Sequence, residues 1–145
     1  MFNDRAGEAM DFYVSIFKDA KVISAMPGPD GKVMGGSFEI EGQRFNCFNG
    51  GPKFTFSQGI SLMARAETQE EIDYLYDSLS EGGKQEPCGW LDDKFGVSWQ
   101  ITPPILMKLL GDPDRNKAGR VAQAMFKMTK IVIADLEAAA SQPSS

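Results

Sequence analysis

The segment of the chain that best indicates its architecture is Cys88-Gly89-Trp90-Leu91-Asp92-Asp93-Lys94-Phe95-Gly96-Val97-Ser98-Trp99-Gln100-Ile101-Thr102-Pro103. Apolar and polar residues alternate from Val97 to Thr102, which predicts a β-strand with one buried and one polar face. Gly96 predicts the turn before this strand, and Pro103 ends it. We expect Thr102 to cap a following helix that starts with proline.

Composition excludes several classes of function. The chain has 145 residues, a net charge of -5 and no histidine, which favours one globular domain and argues against a nucleic-acid partner. No apolar run is long enough to span a bilayer and no signal peptide is evident, so we expect no membrane partner. The two cysteines are too few for a disulfide framework and fit free thiols in a reducing compartment. The predicted location is therefore cytoplasmic.

Upstream of this stretch the chain shows the same order of elements twice. Met1-Phe2 has the character of a strand end, and Asp4 is expected to cap a helix that runs to about Phe17. Three strands follow, within residues 21–49. A capping box at Thr68–Glu71 then predicts a second helix, which is preceded by one strand and followed by two or three more.

The two halves also match in sequence, which indicates an internal repeat. Glu8-Ala9-Met10-Asp11-Phe12 overlays Glu70-Glu71-Ile72-Asp73-Tyr74, and Gly42-Gln43-Arg44-Phe45-Asn46 overlays Gly96-Val97-Ser98-Trp99-Gln100. We therefore predict two βαβββ modules, residues 1–52 and 53–103, within one domain of residues 1–145.

A helical extension is predicted for residues 104–141. Asp112-Pro113 is expected to start a helix there, and an apolar stripe of helical spacing follows, with an interruption expected at Thr129-Lys130; its members are Val121, Met125, Met128 and Val132. This stripe needs a partner surface, either its own domain or a second subunit.

The glycine-tryptophan stretch resembles the PhnB-like branch of the vicinal oxygen chelate superfamily, which carries the description 3-demethylubiquinone-9 3-methyltransferase. Further similarity lies in Glu8-Ala9-x-x-Phe12-Tyr13-x-x-Ile16-Phe17, in Asn49-Gly50-Gly51-Pro52 and in the late Ala124-Met125-x-x-Met128. The superfamily includes glyoxalases, bleomycin-resistance proteins and dioxygenases. The resemblance implies an α+β fold in which each βαβββ module forms a curved half-barrel sheet, and it implies a homodimer.

The resemblance also identifies the positions at which metal-dependent relatives bind their ion. These positions fall on Asn46, Ser61 and Gln100, and a fourth would lie upstream of Met1. Neutral serine, asparagine and glutamine side chains give a divalent cation no charge compensation and no imidazole. We therefore predict no metal site and no cofactor.

Strand parity predicts a ligand pocket lined by the polar strand faces. Its candidate residues are Asn46, Phe48, Ser61, Met63, Trp90, Ser98 and Gln100. The opposite faces should pack beneath the helices; they carry Phe45, Cys47, Leu62, Val97, Trp99 and Ile101. Two alternatives remain open: Gln100 is an ordinary polar residue on a wet face, and Trp90 is a loop anchor. Asp92-Asp93 is expected to form a solvated turn.

Three classes of function compete on this basis. The first is a glyoxalase-like pocket protein that binds a small, partly aromatic molecule without metal, either as an enzyme or as a sequestering protein. The second is a metal-dependent lyase or dioxygenase, which the neutral ligand positions disfavour. The third is the S-adenosylmethionine-dependent methyltransferase of the family description, which lacks the expected glycine-rich turn between strand and helix. Whether the protein is catalytic stays open.

Overall fold

The computed structural model describes residues 1–143, which divide into two compact units, Met1–Ser57 and a second unit that begins at Gln58. The first unit contains helix α1 (Ala6–Ile16) and an antiparallel sheet of β1 (Ala20–Pro27), β2 (Val33–Ile40) and β3 (Gln43–Phe48), in the order β1-β2-β3. One isolated parallel bridge joins Phe2 to Asn49 beside β3. Phe2 therefore occupies the position of the first strand in the βαβββ order of this unit.

An aromatic stack joins α1 to this sheet. The ring of Tyr13 lies 5.7 Å from that of Phe38, which lies 5.2 Å from that of Phe45. Such pairs contribute about 0.5–1.5 kcal/mol beyond the apolar area they bury. The stack fixes which face of the sheet is covered and leaves the opposite face open.

Asn49 sets the start of α1. Its Oδ1 accepts a hydrogen bond from the backbone N–H of Ala6 (2.8 Å), and its Nδ2 donates to the carbonyl oxygen of Val33 (3.1 Å). The expectation that Asp4 caps this helix is wrong, because the N-cap position is Arg5 and no side chain caps from there. Asn49 satisfies the first N–H from across the unit instead.

The second unit repeats the strand and helix order of the first. It contains β4 (Leu62–Arg65), α2 (Gln69–Ser80), β5 (Lys84–Gln85), β6 (Trp90–Asp92) and β7 (Ser98–Thr102), and the sheet order is β4-β7-β6-β5. Strand β4 runs parallel to β7, whereas the other pairs are antiparallel. The Ala66 N–H bonds the carbonyl of Thr102, as the Phe2 N–H bonds that of Phe48. The fold is therefore α+β with two open sheets built on one plan.

The turn before β7 is organised by a buried carboxylate. Oδ1 of Asp93 accepts hydrogen bonds from the N–H groups of Phe95 (2.9 Å) and Val97 (3.0 Å), and Oδ2 accepts one from the indole N–H of Trp99 (3.0 Å). Gly96 completes the turn at φ 87°, a left-handed conformation that favours glycine. The expected solvated turn is wrong for Asp93, which is only 2% exposed.

Three helices follow the second sheet: α3 (Pro104–Leu110), α4 (Arg115–Phe126) and α5 (Ile133–Ser141). Pro103 rather than Thr102 precedes α3 at the N-cap, and Thr102 is buried as the last residue of β7. Asp114 rather than Asp112 caps α4, because its carboxylate accepts hydrogen bonds from the N–H groups of Asn116 and Lys117. Each expected start was therefore wrong by one or two residues.

The apolar stripe of α4 packs within its own unit. Val121 and Met128 are buried, and the helix breaks after Phe126, before the segment that links α4 to α5. This linking segment is anchored by hydrogen bonds from the N–H groups of Cys88 and Gly89 to the carbonyls of Met128 and Thr129. The unit's own surface thus covers these two members of the stripe, whereas Met125 and Val132 are half-buried. Within residues 1–143, no helix has the length and apolar character needed to cross a membrane.

Candidate functional site

The candidate site is the open face of the second unit's sheet, which points away from α2. On the covered side, Ile72, Tyr76 and Leu79 of α2 are fully buried, as are Leu91 and Ile101 of the sheet. The strand register then determines the open face. Met63 on β4 and Trp90 on β6 both pair with Gln100 on β7, so the three residues form one row across the sheet. Strand parity predicted these faces from the sequence.

A hydrogen bond joins the two central polar residues of this face. The side-chain amide of Gln100 donates to the hydroxyl oxygen of Ser61 at 2.9 Å, which links β7 to the residue just before β4. Both side chains are half-buried. The fold therefore brings together the two positions in this unit that the resemblance equates with metal ligands.

Asp92 forms a second polar cluster on the same face. Its Oδ1 accepts from the hydroxyl of Ser98 (2.7 Å), and its Oδ2 accepts from the side-chain amide of Gln58 (2.6 Å). Ser98 is buried, so its hydroxyl is committed to this contact. Sequence reasoning missed both Asp92 and Gln58. Extending the parity argument from Trp90 to β6 as a whole would have placed Asp92 on this face.

Tyr76 holds Trp90 from the covered side of the sheet. Its hydroxyl lies 2.9 Å from the carbonyl oxygen of Trp90 and 3.0 Å from that of Glu86. Burial raises the pKa of the Tyr76 phenol, which keeps this hydroxyl protonated and able to donate. The backbone at the edge of the open face is thereby fixed, while the indole of Trp90 stays half-exposed.

Met63 gives the row an accessible apolar end. Its side chain is 58% exposed on β4, on the opposite side of Gln100 from the Trp90 indole. A flexible thioether and a rigid aromatic ring therefore flank a central amide. This arrangement suits a flat ligand with polar substituents.

The donor atoms of this face do not fit a transition-metal ion. Within residues 1–143 there is no group of three or more histidine, cysteine or acidic side chains placed to hold one. Ser61 and Gln100 offer neutral oxygens, and the Asp92 carboxylate already accepts two hydrogen bonds. Transition metals in proteins take imidazole, thiolate or carboxylate ligands.

Two of the seven candidates lie in the first unit. Asn46 and Phe48 are exposed on β3, on the face opposite the aromatic stack. Phe48 pairs with Gly35, and a Cβ at Gly35 would lie 2.6 Å from the Phe48 ring. Glycine is thus required where that ring crosses β2. Asn46 pairs with Ser37, whose hydroxyl bonds that of Ser24 at 2.8 Å.

Two concave regions lie elsewhere among the described residues. One of about 640 Å³ lies between α4 and α5, and one of about 440 Å³ lies beside the β1–β2 turn of the first unit. None of the seven predicted residues lines either cleft. The candidate site is therefore defined by strand register and hydrogen bonding.

The two open sheets and their strand order define a PhnB-like protein of the glyoxalase fold. The chain belongs to the 3-demethylubiquinone-9 3-methyltransferase family, whose sequence profile matches residues 1–102. The late Ala124–Met128 motif lies outside the matched residues.

One solved structure supports this family assignment, and a second supports the fold. The PhnB protein from Bacillus cereus is 35% identical to this chain, with a TM-score of 0.65 over 71% of this chain and 94% of that one. Protein PA1353 from Pseudomonas aeruginosa shares the fold, at 19% identity and a TM-score of 0.56 over 70% of this chain and 91% of its own. No functionally curated protein matches the chain.

Proposed function

We propose that the open face of the second sheet binds a small, partly aromatic molecule without a metal ion. The observation that carries this proposal is the hydrogen bond between Gln100 and Ser61. A neutral amide and a hydroxyl meet where related proteins would place ligands for a metal ion.

The bonding pattern of this pair determines which ligand groups it can accept. One N–H of the Gln100 amide bonds Ser61, which leaves the Gln100 Oε1 as an acceptor, and the second amide N–H and the Ser61 hydroxyl hydrogen as donors. One acceptor beside these donors suits a ligand hydroxyl or carbonyl group. The ring of such a ligand would stack on Trp90 and contact Met63.

The connection between β4 and α2 lacks the features of a turn that binds S-adenosylmethionine. The connection from β4 to α2 is Ala66-Glu67-Thr68, which has no glycine. Two of its N–H groups are already bonded: the Ala66 N–H donates to the carbonyl of Thr102, and the Glu67 N–H donates to the Glu71 carboxylate. The Thr68 side chain in turn accepts from the Glu71 N–H and caps α2. A nucleotide-like cofactor usually approaches a glycine-rich turn with free N–H groups.

The methyltransferase alternative has a direct test. We expect calorimetry with S-adenosylmethionine to show no binding. A dissociation constant in the low micromolar range, about -8 kcal/mol, would instead favour methyl transfer.

A homodimer in the cytoplasm is also part of this proposal. Edge strand β1 is exposed along most of its length and presents Val22, Ile23 and Met26. Long exposed apolar edges are uncommon in monomers, so pairing of β1 with a second copy would cover this one. The free thiols of Cys47 and Cys88 suit a reducing compartment.

The dimer has its own test. Light scattering of the purified protein should give a molecular mass of two chains, and the Ile23→Lys variant should have the mass of a single chain. A wild-type mass of one chain would refute the dimer without touching the ligand site.

The binding proposal is tested by titrating the protein with aromatic fragments that carry hydroxyl or carbonyl groups, in the presence of a chelator. Fragments that bind should lose about tenfold in affinity, or 1.4 kcal/mol, on Gln100→Leu. Gln43→Leu, which changes an exposed glutamine on β3, is the matched control and should have no effect. Binding that needs added metal, or that survives Gln100→Leu unchanged, would refute the proposal.

A further inference from the structure

Helix α4 is strongly basic in an acidic protein. Between residues 115 and 127 the chain carries two arginines, two lysines and no acidic residue, although its net charge is -5. Lys117 is paired with Asp112 at 2.7 Å. The other three cations, Arg115, Arg120 and Lys127, all line the cleft of about 640 Å³ between α4 and α5. The charge is therefore concentrated on one concave surface.

None of the described residues that line the cleft is acidic. Its remaining polar lining is formed by side-chain amides, and the other lining residues are small or apolar; together these are Asn116, Gly119, Gln123, Ala124, Ala139, Gln142 and Pro143. Gly119 lies midway along α4, and a Cβ built there would meet no atom within 4 Å. The cleft is therefore open at Gly119, and positive charge lies at both of its ends and, through Arg120, beside its middle.

Arg120 is held in place by the opposite wall. Its Nε donates to the carbonyl oxygen of Ala139 on α5 at 3.2 Å, and its two terminal nitrogens bond no other described residue. Arg115 and Lys127 make no ion pair within residues 1–143. The N–H groups at the start of α4 are not the donors here, because Asp114 caps them. The side chains themselves provide the positive charge.

We propose that this cleft binds a small organic phosphate with at least two separated negative groups. Its volume lies within the range of about 300–1,000 Å³ that is usual for small-molecule sites. Arginine binds phosphate through paired N–H donors. The helical rise sets Arg115 and Arg120 about 7.5 Å apart along the axis and Arg120 and Lys127 about 10.5 Å apart. An extended ligand with two anionic ends matches this spacing better than a single phosphate does.

This site is independent of the open sheet face and lies beyond residues 1–102, which are the residues that the family profile matches. An experiment that refutes binding at one of these two sites therefore does not refute binding at the other.

A pair of variants at Gly119 tests the role of charge. Gly119→Glu and Gly119→Gln place side chains of nearly equal size in the open middle of the cleft. Calorimetry with fructose 1,6-bisphosphate at low ionic strength should show saturable, submillimolar binding to the unmodified protein. Gly119→Glu should bind at least about tenfold more weakly than Gly119→Gln, because its carboxylate repels the ligand. Equal affinities for the two variants, or no saturable binding to the unmodified protein, would overturn the proposal.

A second pair locates the site. Arg115→Gln should weaken binding about tenfold, since it removes one cation from the cleft and breaks no ion pair within residues 1–143. Arg44→Gln, which removes an exposed arginine from β3 of the first unit, should leave binding unchanged. An equal loss in both would show that only the overall charge of the protein matters, and the cleft would not be a site.

Discussion

Asp93 should contribute strongly to the stability of the second unit. A conservative substitution isolates its hydrogen bond to the Trp99 indole. In Asp93→Asn, Oδ1 keeps the two turn N–H groups of Phe95 and Val97, but an amide NH₂ replaces the oxygen that faces the Trp99 indole. Two donors then oppose each other, and the indole N–H loses the Asp93 oxygen as its acceptor. A hydrogen bond to a charged group is worth about 1.5–3 kcal/mol. Because Trp99 is only 3% exposed, water cannot easily replace the acceptor.

Asp93→Asn should therefore destabilise the protein by about 2–3 kcal/mol, which corresponds to a fall in Tm of roughly 5–10 °C. Urea denaturation followed by circular dichroism measures this, and a double-mutant cycle with Trp99→Phe assigns it. In the Trp99→Phe background the opposing N–H is gone, so Asp93→Asn should cost less than about 1 kcal/mol there. Asp11→Asn, on the exposed face of α1, is the control. The same cost in both backgrounds would refute this account of the turn.

Strand faces, thiol burial and one surface ion pair each give a further prediction. Gln100→Leu should change stability by no more than about 1 kcal/mol, whereas Trp99→Ala should cost roughly 3–5 kcal/mol as a core truncation; the reverse order in denaturant titration would mean that the faces are inverted. Iodoacetamide at pH 8 should modify half-buried Cys88 before Cys47, because burial shields the Cys47 thiol and raises its pKa; mass spectrometry that finds Cys47 first would contradict this. Asp73 has its pKa lowered by the Gln69 amide and by Lys130. Its contribution to stability is therefore present above the unfolded pKa of about 4 and is lost as the pH falls through the lower folded value. Lys130→Met should reduce the change of the unfolding free energy with pH below pH 4. An unchanged pH dependence would show that the Asp73–Lys130 ion pair is not a cause of the lowered pKa.

Strand parity was the most informative sequence signal. Alternation in β7 placed Trp99 and Ile101 in the core and Gln100 on the open face, because a strand with one covered side must alternate. The repeat of Gly42 and Gly96 also has a physical basis. Both glycines adopt left-handed φ angles, 82° and 87°, in the turns before the last strand of each unit.

The positions that sequence reasoning missed depend on long-range contacts. Asn49 fixes the start of α1 although 43 residues separate it from Ala6, and no local pattern reveals such a cap. Asp93 looks like a solvated turn residue until the Trp99 indole is placed beside it. Gln58 reaches Asp92 across the sheet, so its role emerges only from the fold.

Metal-free binding of an aromatic molecule to the open face of the second sheet is tested most directly by nuclear magnetic resonance. The protein is titrated with hydroxylated aromatic fragments in excess chelator. We expect shifts at three probes of the open face, namely the Gln100 side-chain amide, the Trp90 indole N–H and the Met63 methyl group. The indole of Trp99, on the covered side of the same strand, should not move and serves as the internal reference. Fragments that leave all three probes unmoved, or that shift them only after a divalent metal is added, would contradict the claim.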